Sequence, residues 1–439
     1  MSTSAALASA GTRPDVLLEL SHDLPLVSLT IASRNGGLFD PAGREGLTRL
    51  VGRLMRRTGG GRDPQELDTR VDSIGASLGA DVAQSVTLFQ GTVIRRSLDA
   101  FVDIMTDILA RPGLAEIEFN RLRREVLAEL TDALDDDRGL VRRWFRKKMF
   151  DGHPYGRPLS GTSATLAAID LAAVKQRARE LGARSGLVFA WSGDIERDEA
   201  EALSDRVLSA LEPGSAPEDQ TPEPSAVPGR RLVLVDKPER TQTQILIGGL
   251  GTHASDPDHT ALLVGNTIFG GTFTARLTEE VRSKRGWSYG AYSNLPFDRR
   301  RQAFSMWTFP KADDAPACIE LELDMLKALR ERGVTKKELS SAKRYLVRSH
   351  AFAIDTAAKR VGLELESRLY DLPPGYHAEY TARVAAVTLD QVNEALSARI
   401  PHDNLLITVV GTAADIRAAI ESKIPDLSAS EVVSYETEA

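Results

Sequence analysis

The feature that most constrains this chain is that it repeats itself. GLVFAWSGDI (186–195) and NLLITVVGTAADI (404–416) are both apolar runs ending in glycine, Gly193 and Gly411, an offset of 411 − 193 = 218. Upstream, IDLAAVKQRA (169–178) matches VTLDQVNEAL (387–396) at the same offset. GLAEIEFNRLRREVL (113–127) matches GVTKKELSSAKRYLV (333–347), with Glu118 and Glu338 220 apart. Three blocks in one order at nearly one spacing point to a duplicated architecture. Between the halves, PGSAPEDQTPEPSAVPGR (213–230) is rich in Pro, Ser, Gly and acid without apolar periodicity, as an exposed linker is. The expected organisation is a domain over 1–212, a linker over 213–230 and a second domain over 231–439.

Each half reads as α+β. VLLEL (16–20), PLVSLTIAS (25–33) and SVTLFQGTVI (85–94) alternate as strands with one buried face do. Helical patterns follow at 45–57, 64–74, 96–109 and 115–133, with Asp63, Pro64 and Glu66 forming a helix start. In the second half, strands are expected at 231–236 and 241–250, helices at 258–268, 274–283, 314–331 and 336–350, and a hairpin from WSYGAYSNL (287–295) and QAFSMWTF (302–309). The expected fold is two homologous α/β-sandwich-like halves, each an antiparallel-rich sheet with helices on one side.

Composition removes several function classes. A net charge of −7 gives no general attraction to nucleic acid or anionic membranes. The lone Cys318 excludes an intrachain disulfide and any cysteine-rich metal site. No stretch approaches a membrane span, and MSTSAALASAGTRPD lacks a basic, apolar leader, so the cytoplasm is the expected location. The seven histidines are never spaced i, i+4 with one another.

The segment GLTRLVGRLMRRTG (46–59) has a helical stripe of Leu47, Leu50, Val51 and Leu54, with Arg49, Arg53 and Arg56 on another face. An inverted zinc-peptidase helix carries H-x-x-E-H. In that frame the three positions are Arg49, Gly52 and Arg53: two guanidiniums, which cannot ligate a metal, and no general base.

Together with NGGLFDPAGREGL (35–47), HPYGRPLSGT (153–162) and LTEEVRSKRGWSYGAYS (277–293), this helix resembles the pitrilysin/insulinase family of zinc peptidases, of the mitochondrial-processing-peptidase type. The resemblance covers roughly 15–430. It implies that a third metal ligand would fall 76 residues beyond Arg53, on Glu129, and a supporting glutamate seven residues earlier, where the chain has Leu122. One carboxylate does not hold catalytic zinc, so no metal is expected in this chain. On the family's fold, Glu129 would pair with Arg49 or Arg53.

The family's non-catalytic half contributes an arginine and a tyrosine seven residues apart, and R-S-K-R-G-W-S-Y keeps both as Arg282 and Tyr289. The expected local form is Arg282 at a helix end, Gly286 at the exit and Tyr289 on the next strand. Gly270 and Gly271 either let a substrate backbone approach or close a tight loop. The resemblance implies a zinc-free subunit that binds peptide through Arg282 and Tyr289 and works beside a homologous zinc-bearing partner. The alternative is a scaffold or peptide-binding relative.

Overall fold

The computed structural model describes residues 14–438. Residues 1–13, which carry most of the segment read for a leader, lie outside the described residues. Among the described residues, eleven strands build two sheets: β1 (Asp15–Leu20), β2 (Leu26–Ser33), β3 (Gly79–Val82), β4 (Thr87–Ile94), β5 (Leu187–Gly193), β6 (Arg230–Asp236), β7 (Gln244–Leu250), β8 (Ala291–Asn294), β9 (Ala303–Thr308), β10 (Leu405–Gly411) and β11 (Leu427–Ser434). The first sheet runs β1-β5-β2-β4-β3 and the second β11-β6-β10-β7-β9-β8. Replacing each strand of the first sheet by its counterpart (β1 by β6, β5 by β10, β2 by β7, β4 by β9, β3 by β8) reproduces the second, which adds only β11 at its edge. Pairing types match as well. β1·β5 and β6·β10 are parallel, and β2·β5, β2·β4 and β3·β4 are antiparallel like β7·β10, β7·β9 and β8·β9. The fold is thus α+β, with two mixed, antiparallel-rich sheets flanked by helices.

The alternation seen in the sequence selects the faces. In the first sheet Val27, Leu29, Ile31, Phe89, Val93, Phe189 and Trp191 face the main helical layer, where Leu50, Leu54, Phe101, Met105 and Leu122 meet them. Leu17, Ala32, Val86, Val188 and Ala190 face the other way. That second face is covered by the Ala357–Leu369 helix through Val361, Leu365 and Leu369. In the second sheet Leu232, Leu234, Ile245, Ile247, Phe304, Met306, Ile407 and Val409 enter the core with the helices of the second half. The Asp137–Met149 helix, in which Trp144 and Phe145 are buried, lies against β6, β7 and β10. The basic run 142–148 is therefore a packing helix as well as a charged one.

The compact units are accordingly not contiguous in sequence. One holds the chain up to Leu130 with Leu159–Gln220 and Phe352–Leu372; the other holds Thr131–Pro158, Thr221–Ala351 and Pro373–Ala439. The two transferred segments start 352 − 131 = 221 residues apart, close to the repeat offset, so the duplication extends to the helix each half lends. No helix of the described residues is long and apolar enough to cross a membrane.

Candidate functional site

The helix expected to be a degenerate metal helix is Leu47–Arg57, and its apolar stripe is buried as its spacing requires. Its start is held by a buried polar network. Asp40 accepts from the backbone N–H of Gly46 and Thr48, both at 2.9 Å, and from the Thr48 hydroxyl at 2.5 Å. Burial pushes the Asp40 carboxyl up to about 6, against the opposing Thr48 hydrogen bonds and the Arg177 charge. Arg177, fully enclosed, donates to the Thr48 hydroxyl at 2.7 Å, to Asn35 Oδ1 at 2.5 Å and to the Gly36 carbonyl at 2.9 Å. These contacts satisfy donors that a helix start otherwise leaves orphaned. They fix the start of the helix by charge and hydrogen bonding.

Arg53 grips Glu129 with two parallel bonds, Nη1 to Oε2 at 2.8 Å and Nη2 to Oε1 at 2.7 Å. This fork geometry is the strongest form of the pair. The Arg53 bond is the largest influence holding the Glu129 carboxyl below its usual range, and the charges of Arg49 and Arg57 act in the same direction. Arg49 turns away and donates to the Ser160 hydroxyl. Arg57 binds Glu125 at 2.8 Å and Arg56 binds Asp68 at 2.5 Å. Leu122 is fully buried in the apolar core. These residues do not fit a catalytic zinc ion. The guanidiniums cannot be deprotonated to become ligands, and the one retained carboxylate already has both oxygens engaged. Among the described residues no group of three or more His, Cys, Asp or Glu is placed to hold a metal ion.

In the second unit, Arg282 stands inside a π-helical turn, Glu279–Lys284, that continues the short Arg276–Thr278 helix. Such turns often occur where a helix presents a functional side chain. The chain leaves through Gly286, whose φ of +68° is the left-handed conformation that glycine adopts without a steric cost. Tyr289 lies two residues before β8 and not on that strand as expected. Ser288 donates to the Gly290 carbonyl at 2.6 Å and accepts from the Phe309 N–H at 3.0 Å, which holds this stretch as a turn and delays the ladder to Ala291. Arg282 is flanked by two rings: its Cζ is 4.3 Å from the Tyr289 centroid and 4.3 Å from that of Phe273. Sequence reasoning missed Phe273; the signal was an aromatic in an otherwise small and polar loop, GGTFTAR, just ahead of the arginine.

Gly270 ends the His259–Phe269 helix, and its carbonyl accepts from the Ser293 N–H of β8 at 2.9 Å. A Cβ there would fall 2.5 Å from Ser293 Oγ, and one at Gly271 would fall 2.9 Å from Thr267 Cα. Both close approaches are to the chain's own backbone and side chains.

Comparison with known proteins follows the same outline. The profile for insulinase (peptidase family M16) matches residues 16–163, and that for the peptidase M16 inactive domain matches 168–346. An uncharacterized zinc protease of Streptomyces coelicolor is 25% identical over 422 residues, covering 93% of this chain and 90% of its own. The non-peptidase homolog YmxG of Helicobacter pylori is 21% identical over 401 residues, covering 90% and 91%. Among solved structures, a peptidase M16 inactive domain from Pseudomonas fluorescens superposes with a TM-score of 0.84 at 25% identity, covering 90% of this chain and 95% of that one. A chain of complex III2 from Candida albicans shares the fold, with a TM-score of 0.75 at 14% identity over 93% and 97%.

Proposed function

Because the chain belongs to the M16 insulinase family of peptidases, we propose that it is the zinc-free subunit of a two-component peptidase and supplies Arg282 and Tyr289 to a peptide bound at a partner chain. The carrying observation is the contrast between two places in the molecule. The metal helix is closed by the Arg53–Glu129 bridge, whereas the Arg282–Tyr289 pair is presented at the surface with Tyr289 77% exposed. A homologous partner with an intact H-x-x-E-H motif would supply the metal and the general base.

On this chain, Arg282 offers a fork of donors that stays charged at every working pH and so orients a peptide without moving a proton. Tyr289 brings a hydroxyl that can donate to a carbonyl oxygen as negative charge develops on it. Gly270 and Gly271 let the loop ahead of Arg282 close tightly against Ser293 and Thr267, which positions the turn that carries the pair. The occurrence of a non-peptidase homolog among the relatives supports a chain that does not cleave alone. It equally supports the second reading, a scaffold or peptide-binding subunit. The test is a pull-down from the native host followed by peptide cleavage with and without the recovered partner. Cleavage that needs both chains supports the proposal. Full activity of the partner alone removes the catalytic part and leaves the scaffold.

A further inference from the structure

The first sheet stops one strand short of the second. Among the described residues β1 is an outer strand, whereas its counterpart β6 is covered by β11, which runs parallel to it. The Ser21 N–H donates to the Gly193 carbonyl at 3.0 Å, as the Lys237 N–H does to that of Gly411. Backbone groups alternate in direction along a strand. Asp15, Leu17 and Glu19 therefore turn their N–H and C=O groups to β5, while Val16, Leu18 and Leu20 turn theirs outwards. In β6 the outward residue matching Leu20 is Asp236, whose carbonyl accepts from the Tyr435 N–H at 3.1 Å. Leu20 has no such partner among the described residues. The other outer strands are blunted. β3 and β8 have four residues each, and β11 shifts register between Leu427 and Ala429. β1 has six residues in unbroken register and no proline or lysine, so it carries none of these protections. Its two acids are already paired, Glu19 with Arg360 at 3.0 Å and Asp15 with Arg368 at 3.9 Å.

We infer that the β1 edge is an interface for a second copy of this chain, paired antiparallel about a two-fold axis through Leu18. Such a contact uses the same strand on both chains and closes at two. Centring on Leu18 sets Val16 opposite Leu20 of the second copy, so every outward N–H and C=O of the strand is paired. Leu17 then faces Glu19 of the second copy. Centring on Leu17 would instead set Asp15 opposite Glu19, a like-charge pair, and Leu20 opposite Pro14, which has no N–H. Val16 and Leu18 pack on the first core, and Leu20, 45% exposed, gains apolar cover from Val16 of the second copy. The inference is independent of the Arg282–Tyr289 reading, since β1 belongs to the first unit and that pair to the second.

Sedimentation velocity of the full chain from about 1 to 100 µM, with hydrogen exchange read by mass spectrometry at both ends of that range, tests this. A reversible dimer should form, and the amides of residues 16–20 should exchange more slowly in it than in the monomer. Leu20→Pro deletes an outward N–H that the monomer's own sheet does not use, and Leu20→Lys places a charge on the edge. Each should weaken the dimer roughly tenfold or more and leave the monomer's thermal midpoint unchanged. A chain that stays monomeric throughout would overturn the inference, as would a dimer whose exchange over 16–20 matches the monomer's or one untouched by both variants. Slow exchange of these amides already in the monomer would also overturn it, because the edge would then be occupied within one chain.

Discussion

Replacing Glu322 by Gln should flatten the dependence of this protein's stability on pH. Glu322 lies on the Ala315–Arg332 helix, fully buried, and neither carboxyl oxygen has a hydrogen-bond partner of good geometry. Burial, offset only in part by the Thr308 hydroxyl, pushes its carboxyl up to about 8 from 4.5. A carboxyl raised on folding binds more protons in the native state than in the unfolded chain. Its contribution is therefore most favourable below about 4.5 and is lost progressively as pH rises towards 8, by about 1.4 kcal/mol per unit. Between pH 5 and 7 that amounts to roughly 3 kcal/mol from this one group. Beside it, Cys318 is also buried, and its thiol is held far above the ordinary range by burial first and by the Glu322 charge second. Urea unfolding of wild type and Glu322→Gln at pH 5, 6, 7 and 8 gives the comparison. The wild type should lose stability relative to the variant at each step. Parallel curves across that range would refute the reasoning, because they would mean that the carboxyl ionises as freely in the core as in the unfolded chain.

Other outcomes follow from the sites. Tyr289→Phe should lower the turnover of the reconstituted complex by about 10²–10³-fold while pull-down of the partner is unchanged, as loss of one oxyanion donor does. Arg53→Ala removes a pair whose members are 26% and 45% exposed, so chemical denaturation should register a loss of no more than about 1 kcal/mol. Asp40→Ala strips three hydrogen bonds from a buried helix start and should cost more, roughly 1–3 kcal/mol by the same measurement. The combined change Arg49→His, Gly52→Glu and Arg53→His frees Glu129 and restores a three-ligand set, so metal analysis should find zinc bound where the parent binds none. The Gly52 substitution is the tight one, since a Cβ there sits 3.1 Å from Val82 Cγ2.

Much of the fold was legible because periodicity is a direct record of burial. The Leu47, Leu50, Val51 and Leu54 stripe and the alternation through Leu26–Ser33 each specify an element and a face. The repeat offset carried further, since the same strand order recurs in both sheets. Short edge strands escaped: β3 has four residues including a glycine, and β11 alternates weakly with half its side chains in water. Nor does any local pattern show that Asp137–Met149 covers the second sheet or that Ala357–Leu369 covers the first, because that choice is made by tertiary packing. At the sites, residue chemistry was readable and partnership was not. The sequence offered Arg49 and Arg53 equally to Glu129, and only the fold directs Arg53 to the carboxylate and Arg49 to Ser160. The Arg282–Phe273 contact depends on a π-helical turn that has no sequence signature. Asp40 and Arg177, 137 residues apart, meet at the start of one helix through Thr48, which no spacing rule reveals.

The Arg53–Glu129 bridge occupies the place that the proposed function leaves without a metal, and on that proposal another chain completes the hydrolysis. Elemental analysis of the purified protein after incubation with zinc and desalting, read together with a peptide-cleavage assay on the same sample, measures this directly. On the proposed function, zinc stays far below one ion per chain and cleavage does not rise above buffer. One tightly held zinc per chain, with cleavage by the protein unaided, would contradict it.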